Sequence, residues 1–141
     1  MSEVAMKTTI YASADEVWKT VSDFNGLPKF VAAIVKSTME GSGVGAIRTL
    51  SLKDGGPPVI EKLEHMDPQA RILKYSIVES PLPLEKYLAT VEVRELDPKR
   101  CEVKWSSTFE PKGVPEAAAQ KIVQGVYTAG FEGLKKLYGG E

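Results

Sequence analysis

Cysteine and histidine occur once each in 141 residues, as Cys101 and His65. A lone thiol cannot close a disulfide within the chain, and one Cys with one His supplies neither a zinc cluster nor a Cys/His nucleophile pair. Charge of one sign is also missing: 18 Lys and Arg stand against 19 Asp and Glu, for a formal net charge of -1. That balance gives no electrostatic case for a nucleic acid or an anionic membrane as partner. No stretch approaches the roughly 18 apolar residues of a membrane span, and the opening MSEVAMKTTI enters an alternating pattern without a basic region or a long apolar run. The expectation is a cytoplasmic protein with no metal, no cofactor, no nucleic-acid partner and no membrane insertion.

What the chain does have is an ordinary core-forming composition, 43% apolar and 26% charged. Its length suits one domain over residues 1–141, and domains of this size bury about 68 to 70% of their unfolded surface. Met1 to Ala12 alternates as a strand and ends at Ser13-Ala14-Asp15-Glu16. That motif reads as a capping box, in which the Ser13 hydroxyl accepts from the Glu16 amide and the Glu16 side chain returns to the Ser13 amide. Val17, Val21 and Phe24 follow at helical spacing with Trp18 beside them. Asn25-Gly26-Leu27-Pro28 then stops the helix and admits a second short one through Phe30, Val31 and Ile34.

From Val35 to Glu110 the period becomes two, and turn signals at 41–43, 54–58, 67–68, 81–83 and 97–98 delimit about six strands. Their connections are too short for parallel crossovers, so successive antiparallel hairpins are expected. Leu73, Tyr75 and Ile77 share one face of their strand, Tyr87, Ala89, Val91 and Val93 one face of the next, and Val103, Trp105, Ser107 and Phe109 one face of the last. Lys74, Ser76, Glu92, Arg94, Glu102 and Lys104 occupy the opposite sides, so one face is wet and the other covered.

The cover is the last element. Pro115 suits a first helical position, Glu116 the positive end, Lys135 and Lys136 the negative end, and Gly139-Gly140 the exit. Residues 115 to 138 would span roughly 36 Å as a helix. The apolar stripe runs Ala119, Ile122, Val123, Val126, Gly130, Gly133, Leu134, Leu137, and its glycines cost about 1 kcal/mol each relative to alanine. Gly130 on that stripe either leaves volume for a ligand or lets the backbone approach a bulky residue such as Trp105.

The segment SADEVWKTVSDFNGLPKF resembles the opening of bacterial polyketide cyclase/dehydrase-like proteins of the START and birch-pollen-allergen (SRPBCC) superfamily. VIEKLEHMDPQARILKYSIVESPLPLEKYLATVEV and CEVKWSSTFEP are similar to its central and late strands. The resemblance implies an α+β helix-grip fold: a seven-stranded curved antiparallel sheet wrapped around a long C-terminal helix, with two short helices after the first strand. It also implies an apolar cavity between sheet and helix, beside Gly130. The plant abscisic acid receptors are more distant members, and likeness to them implies ligand contacts at Lys36, a carboxylate anchor there, and at Glu61, Tyr75, Ile77, Tyr87, Ile122, Val126, Tyr127 and Gly130. KDGGPP (53–58) and SPLPL (80–84) stand where those receptors have a gate and a latch, without the latch's histidine and arginine.

Among polar candidates, a hairpin turning at Asp54-Gly55 puts Arg48 opposite Glu61. One register turns both into the cavity with Leu50, where they would orient a polar ligand group or act as catalytic candidates; a shift of one residue turns both to solvent. Tyr75, Tyr87 and Tyr127 either offer hydroxyls to a ligand or tie them off within the core. Lys36 either anchors an anion or forms a Schiff base, or is simply solvated. Trp105 and Ala89 read as wall or floor, Leu82 and Leu84 as mouth residues, and His65 has no nucleophilic partner in view. The expected function is binding of a small hydrophobic or amphipathic molecule, with a cyclase or dehydratase activity in the same cavity as the alternative; the expected oligomeric state is a monomer or weak homodimer.

Overall fold

Short turns between strands of period two force a meander, and the meander runs almost the length of the sheet. A computed structural model describes residues 1–141 as β1 (Ser2–Ile10), α1 (Ala14–Ser22), a one-turn 3-10 helix (Leu27–Lys29), β2 (Ile34–Glu40), β3 (Ile47–Leu52), β4 (Val59–Asp67), β5 (Ile72–Glu79), β6 (Leu84–Asp97), β7 (Arg100–Pro111) and α2 (Glu116–Tyr138). The sheet order is β1-β7-β6-β5-β4-β3-β2, with every pair antiparallel. Strands β2 to β7 follow one another by hairpins, whereas β1 lies at the far edge beside β7. The two short helices therefore carry the chain from one edge of the sheet to the other. This is the helix-grip arrangement.

Ser13 caps α1: its Oγ accepts from the Glu16 amide at 3.2 Å and donates to the Glu16 carboxylate at 3.0 Å. The reciprocal bond thus runs through the hydroxyl rather than the Ser13 amide. Ala14, Val17 and Trp18 are the buried residues of α1, and they join a single core of 30 apolar residues that extends under α2.

Helix α2 begins at Glu116, with Pro115 as the N-cap residue, and ends at Gly139, whose φ of 86° is one that L side chains rarely adopt. Its buried face is Ala119, Val123, Tyr127, Gly130, Phe131 and Leu134. Two members of the expected stripe, Val126 and Leu137, are 38% and 50% exposed. The helix is rotated so that aromatic rings, which bury about 150–250 Å² apiece, enter the core in place of Val126 and Leu137. Tyr127 stacks on Trp105 with centroids 4.6 Å apart, and Phe131 meets the same indole at a tilt, with centroids 6.2 Å apart.

The glycines of α2 divide by position. A Cβ on Gly130 would come within 2.4 Å of the Trp105 ring, and one on Gly133 within 1.4 Å of the Phe30 carbonyl oxygen. Volume was expected beside Gly130; the Trp105 indole fills it, and close approach is the reason for the glycine. Gly125, a turn and a half earlier, has nothing within 4 Å of its Cβ position. Gly125→Ala is expected to raise stability by up to about 1 kcal/mol through helix propensity, and Gly133→Ala to lower it by about 3 kcal/mol or more through collision with backbone. Urea unfolding of the two variants checks this; equal effects would contradict the assigned contacts.

Candidate functional site: an apolar cavity with one carboxylate

Helix α2 packs most closely on β1 and β7, and the space between it and the other half of the sheet is not filled. A cavity of about 310 Å³ remains there, at the low end of the ~300–1,000 Å³ usual for small-molecule sites. Apolar side chains form 17 of its 19 lining residues. Glu61 is the single charged one.

Strands β3, β4 and β5 contribute by alternation, and β6 by a bulge between Glu85 and Leu88 that turns both Leu84 and Tyr87 to the same face. Leu50 and Leu52 of β3, Val59 and Glu61 of β4, Tyr75 and Ile77 of β5, and Leu84 and Tyr87 of β6 face inward. Trp105 supplies the floor from β7, while Ile122, Val123, Gly125, Val126 and Ala129 supply the helical wall. Ala33, Gly125 and Val126 are exposed and the remaining inner residues largely buried, so the opening lies between the middle of α2 and the segment that leads into β2.

Arg48 pairs with Glu61 across β3 and β4, and both side chains point inward, the two residues being 4% and 6% exposed. Arg48 Nε and Nη2 donate to Glu61 Oε1 at 2.9 and 2.6 Å, and Nη1 donates to the Phe24 carbonyl at 2.8 Å. The guanidinium carbon stands 3.9 Å from the Phe24 ring centroid and 4.9 Å from that of Tyr75, a cation held between two aromatic faces. Taking both charges from water is costly, and removing one partner of such a pair costs about 3–5 kcal/mol. Burial raises the Glu61 carboxyl above its ordinary pKa, while Arg48 pulls it back down.

Behind the apolar wall lies a set of aromatic hydroxyls. Trp105 Nε1 donates to Tyr75 Oη at 3.0 Å, and the hydroxyls of Tyr87 and Tyr127 share a hydrogen bond of 2.5 Å. Burial pushes the Tyr127 phenol up to about 12 and those of Tyr75 and Tyr87 well above the usual phenol value.

The structure distributes the expected site residues unevenly. Leu50, Glu61, Tyr75, Ile77, Leu84, Tyr87, Trp105, Ile122 and Val126 line the cavity. Arg48 stands behind Glu61, beside a much smaller void. Ala89 and Tyr127 are fully buried in the packed core, and Gly130 lies under the indole. Lys36 is exposed on the edge strand. Its place comes from a bulge: Ile34 pairs with Leu52 but Lys36 with Ser51, so Val35 is an extra residue that reverses the facing of the rest of the strand. Ile34 therefore enters the cavity and the lysine points away from it. A second bulge, where Leu63 pairs with Tyr75 but His65 with Lys74, leaves His65 exposed on the outer face. Sequence reasoning missed Leu27 and Val31 after α1, and Gly125 and Ala129 on α2; the spacing 122, 125, 129 is a signal for the last two.

Residues 1–139 match the family model described as polyketide cyclase / dehydrase and lipid transport. The chain belongs to this family. None of the curated proteins matches it in sequence. Among solved structures, this polyketide cyclase/dehydrase family member is similar to protein XoxI from Bacillus cereus, at 31% identity and a TM-score of 0.92 over 98% of this chain and 96% of that one. The Zhui aromatase/cyclase from Streptomyces sp. R1128 shares its fold, at 17% identity and a TM-score of 0.77 over 94% and 90% of the two chains. So does norcoclaurine synthase from Thalictrum flavum, at 23% identity and a TM-score of 0.73 over 96% and 92%. The polyketide cyclase/dehydrase-like family expected from the sequence is the one that the family model gives.

The buried phenols generate a pH dependence. Tyr127 stays neutral in the fold to about pH 12 but ionises near 10 in an unfolded chain. An acid whose folded pKa is raised favours unfolding as pH climbs from the unfolded value toward the folded one. Stability should therefore fall between about pH 10 and 12, and Tyr127→Phe should remove phenolate absorbance that appears only near the top of that range. Phenolate formation by Tyr127 in folded protein at pH 10 would contradict the burial described.

Proposed function

We propose that this member of the polyketide cyclase/dehydrase family binds a small, largely hydrophobic molecule in the cavity between the sheet and α2. The observation that carries the reading is a space of about 310 Å³ with an almost wholly apolar lining and an opening at the middle of the helix. An apolar surface of this kind gains by accepting apolar area, at about 25 cal/mol per Å² removed from water. Gly125 makes the test selective, since its Cβ position meets no other atom and a larger side chain there enters the opening rather than the core. N-phenyl-1-naphthylamine, a neutral dye that brightens in apolar surroundings, should bind the wild-type chain saturably. Gly125→Phe should weaken it by about tenfold or more, the size of a blocked apolar contact, with no loss in unfolding midpoint. Unchanged dye binding by the folded variant would remove the cavity from consideration.

A second reading is favoured by the family's description and by the carboxylate in the wall. Under it, the cavity holds a carbonyl-containing chain in a folded shape, and Glu61 takes a proton from carbon beside a carbonyl, a role for which a carboxyl of raised pKa is better suited than an ordinary one. Glu61→Gln should then lower turnover of a 1,3-dicarbonyl substrate about 100-fold or more. Full turnover by that variant would exclude Glu61 as the base.

A further inference from the structure

Glu61 uses only one of its two carboxylate oxygens for the fold. Oε1 accepts both bonds from Arg48. Oε2 accepts none from the protein, yet it is not sealed away: Ser107 Oγ is the one buried polar side-chain atom without a partner, and Glu61 is part of the cavity wall. An ionised carboxylate has acceptor sites alone. Tyr75 complements it, because Oη already accepts from Trp105 Nε1 and keeps its own proton for donation. Across β4 and β5 Glu61 pairs with Ile77 and Tyr75 with Leu63, so the two polar groups sit diagonally on one face of neighbouring strands, both in the wall.

The cation, by contrast, is withdrawn from the cavity. Arg48 Nε, Nη1 and Nη2 are engaged by Glu61 and the Phe24 carbonyl, its two faces are covered by Phe24 and Tyr75, and it lines no part of the larger space. Lys36 is outside. A ligand within the cavity meets the free acceptor Glu61 Oε2, the hydroxyls of Tyr75 and Tyr87, and no accessible positive charge.

We infer that Glu61 and Tyr75 select an uncharged apolar ligand that carries one alcohol or phenol group, and discriminate against carboxylic acids of the same shape. The inference rests on the cavity reading above and adds the polar chemistry of the ligand. A ligand hydroxyl donates to Glu61 Oε2 and accepts from Tyr75 Oη–H. An ether has no proton to give, which leaves Oε2 without a partner in apolar surroundings. An anionic carboxylate brings like charge against Oε2 with Arg48 out of reach.

Three bicyclic probes of one shape test this by calorimetry on the full chain at neutral pH: 2-naphthol, 2-methoxynaphthalene and 2-naphthoate. The expected order is 2-naphthol tightest, by about tenfold or more over the ether, as befits a hydrogen bond to a charged acceptor, with 2-naphthoate weakest. Arg48→Met/Glu61→Leu replaces the pair by apolar side chains, an exchange that buried ion pairs often tolerate, and should bring 2-naphthol and the ether to within about threefold of each other. Tyr75→Phe, a smaller change, should remove part of the preference. Equal binding of 2-naphthol and the ether by the wild-type chain, or 2-naphthoate as the tightest probe, would overturn the selection and leave the cavity reading standing. A preference for 2-naphthol undiminished in both variants would overturn it too, and no binding of any probe would overturn both readings.

Discussion

The contact between the Trp105 indole and the bare backbone of Gly130 sets where everything else lies. It brings α2 against the sheet at one point on its length, and one turn later Gly133 lets the helix close on the Phe30 carbonyl, at the end of the 3-10 helix. A helix clamped near its C-terminal half over β1 and β7 cannot also fill the concavity made by β3 to β6. The unfilled volume beside residues 122–129 results from that clamp and from the curvature of an antiparallel sheet. Trp105 then serves twice more: its face stacks on Tyr127, and its Nε1 fixes Tyr75.

Polar groups in such an interior persist only if they are satisfied, and here the satisfaction is graded. Arg48 is engaged through each of its three nitrogens, Tyr87 and Tyr127 bond each other, and Tyr75 and Glu61 each retain capacity beside the cavity. The gradient is spatial. Behind the wall the polar side chains are bonded to one another, Ser107 Oγ excepted, whereas Glu61 Oε2 at its surface accepts no bond from the protein. Phe24, delivered by the end of α1, closes the far side of the guanidinium, so the crossing from one sheet edge to the other also completes the ion pair.

The strands were legible because alternation and short turns leave few choices, and the opposition of Arg48 and Glu61 came from counting outward from Asp54-Gly55. Which way that pair faced was not legible, since either register keeps the alternation. Lys36 was misplaced for a related reason: one extra residue at Val35 reverses the facing of the remainder of β2, and nothing in IVKST marks it. On α2 the apolar stripe was displaced by about one residue, because Val126 and Tyr127 compete for the same direction and only the ring's stacking on Trp105 decides it. Gly130 carried two readings of equal standing in sequence; the position of a tryptophan on the sheet chose between them.

The three glycines of α2 have a consequence for how a family of such proteins diverges. Gly130 and Gly133 are bound by neighbouring atoms, so replacement there is opposed by the core itself. Gly125, with Ile122, Val126 and Ala129 on the same side, borders open space. Close packing and the shape of the cavity thus depend on different turns of one helix, and substitutions in the second set can change that shape without first having to be compensated in the first.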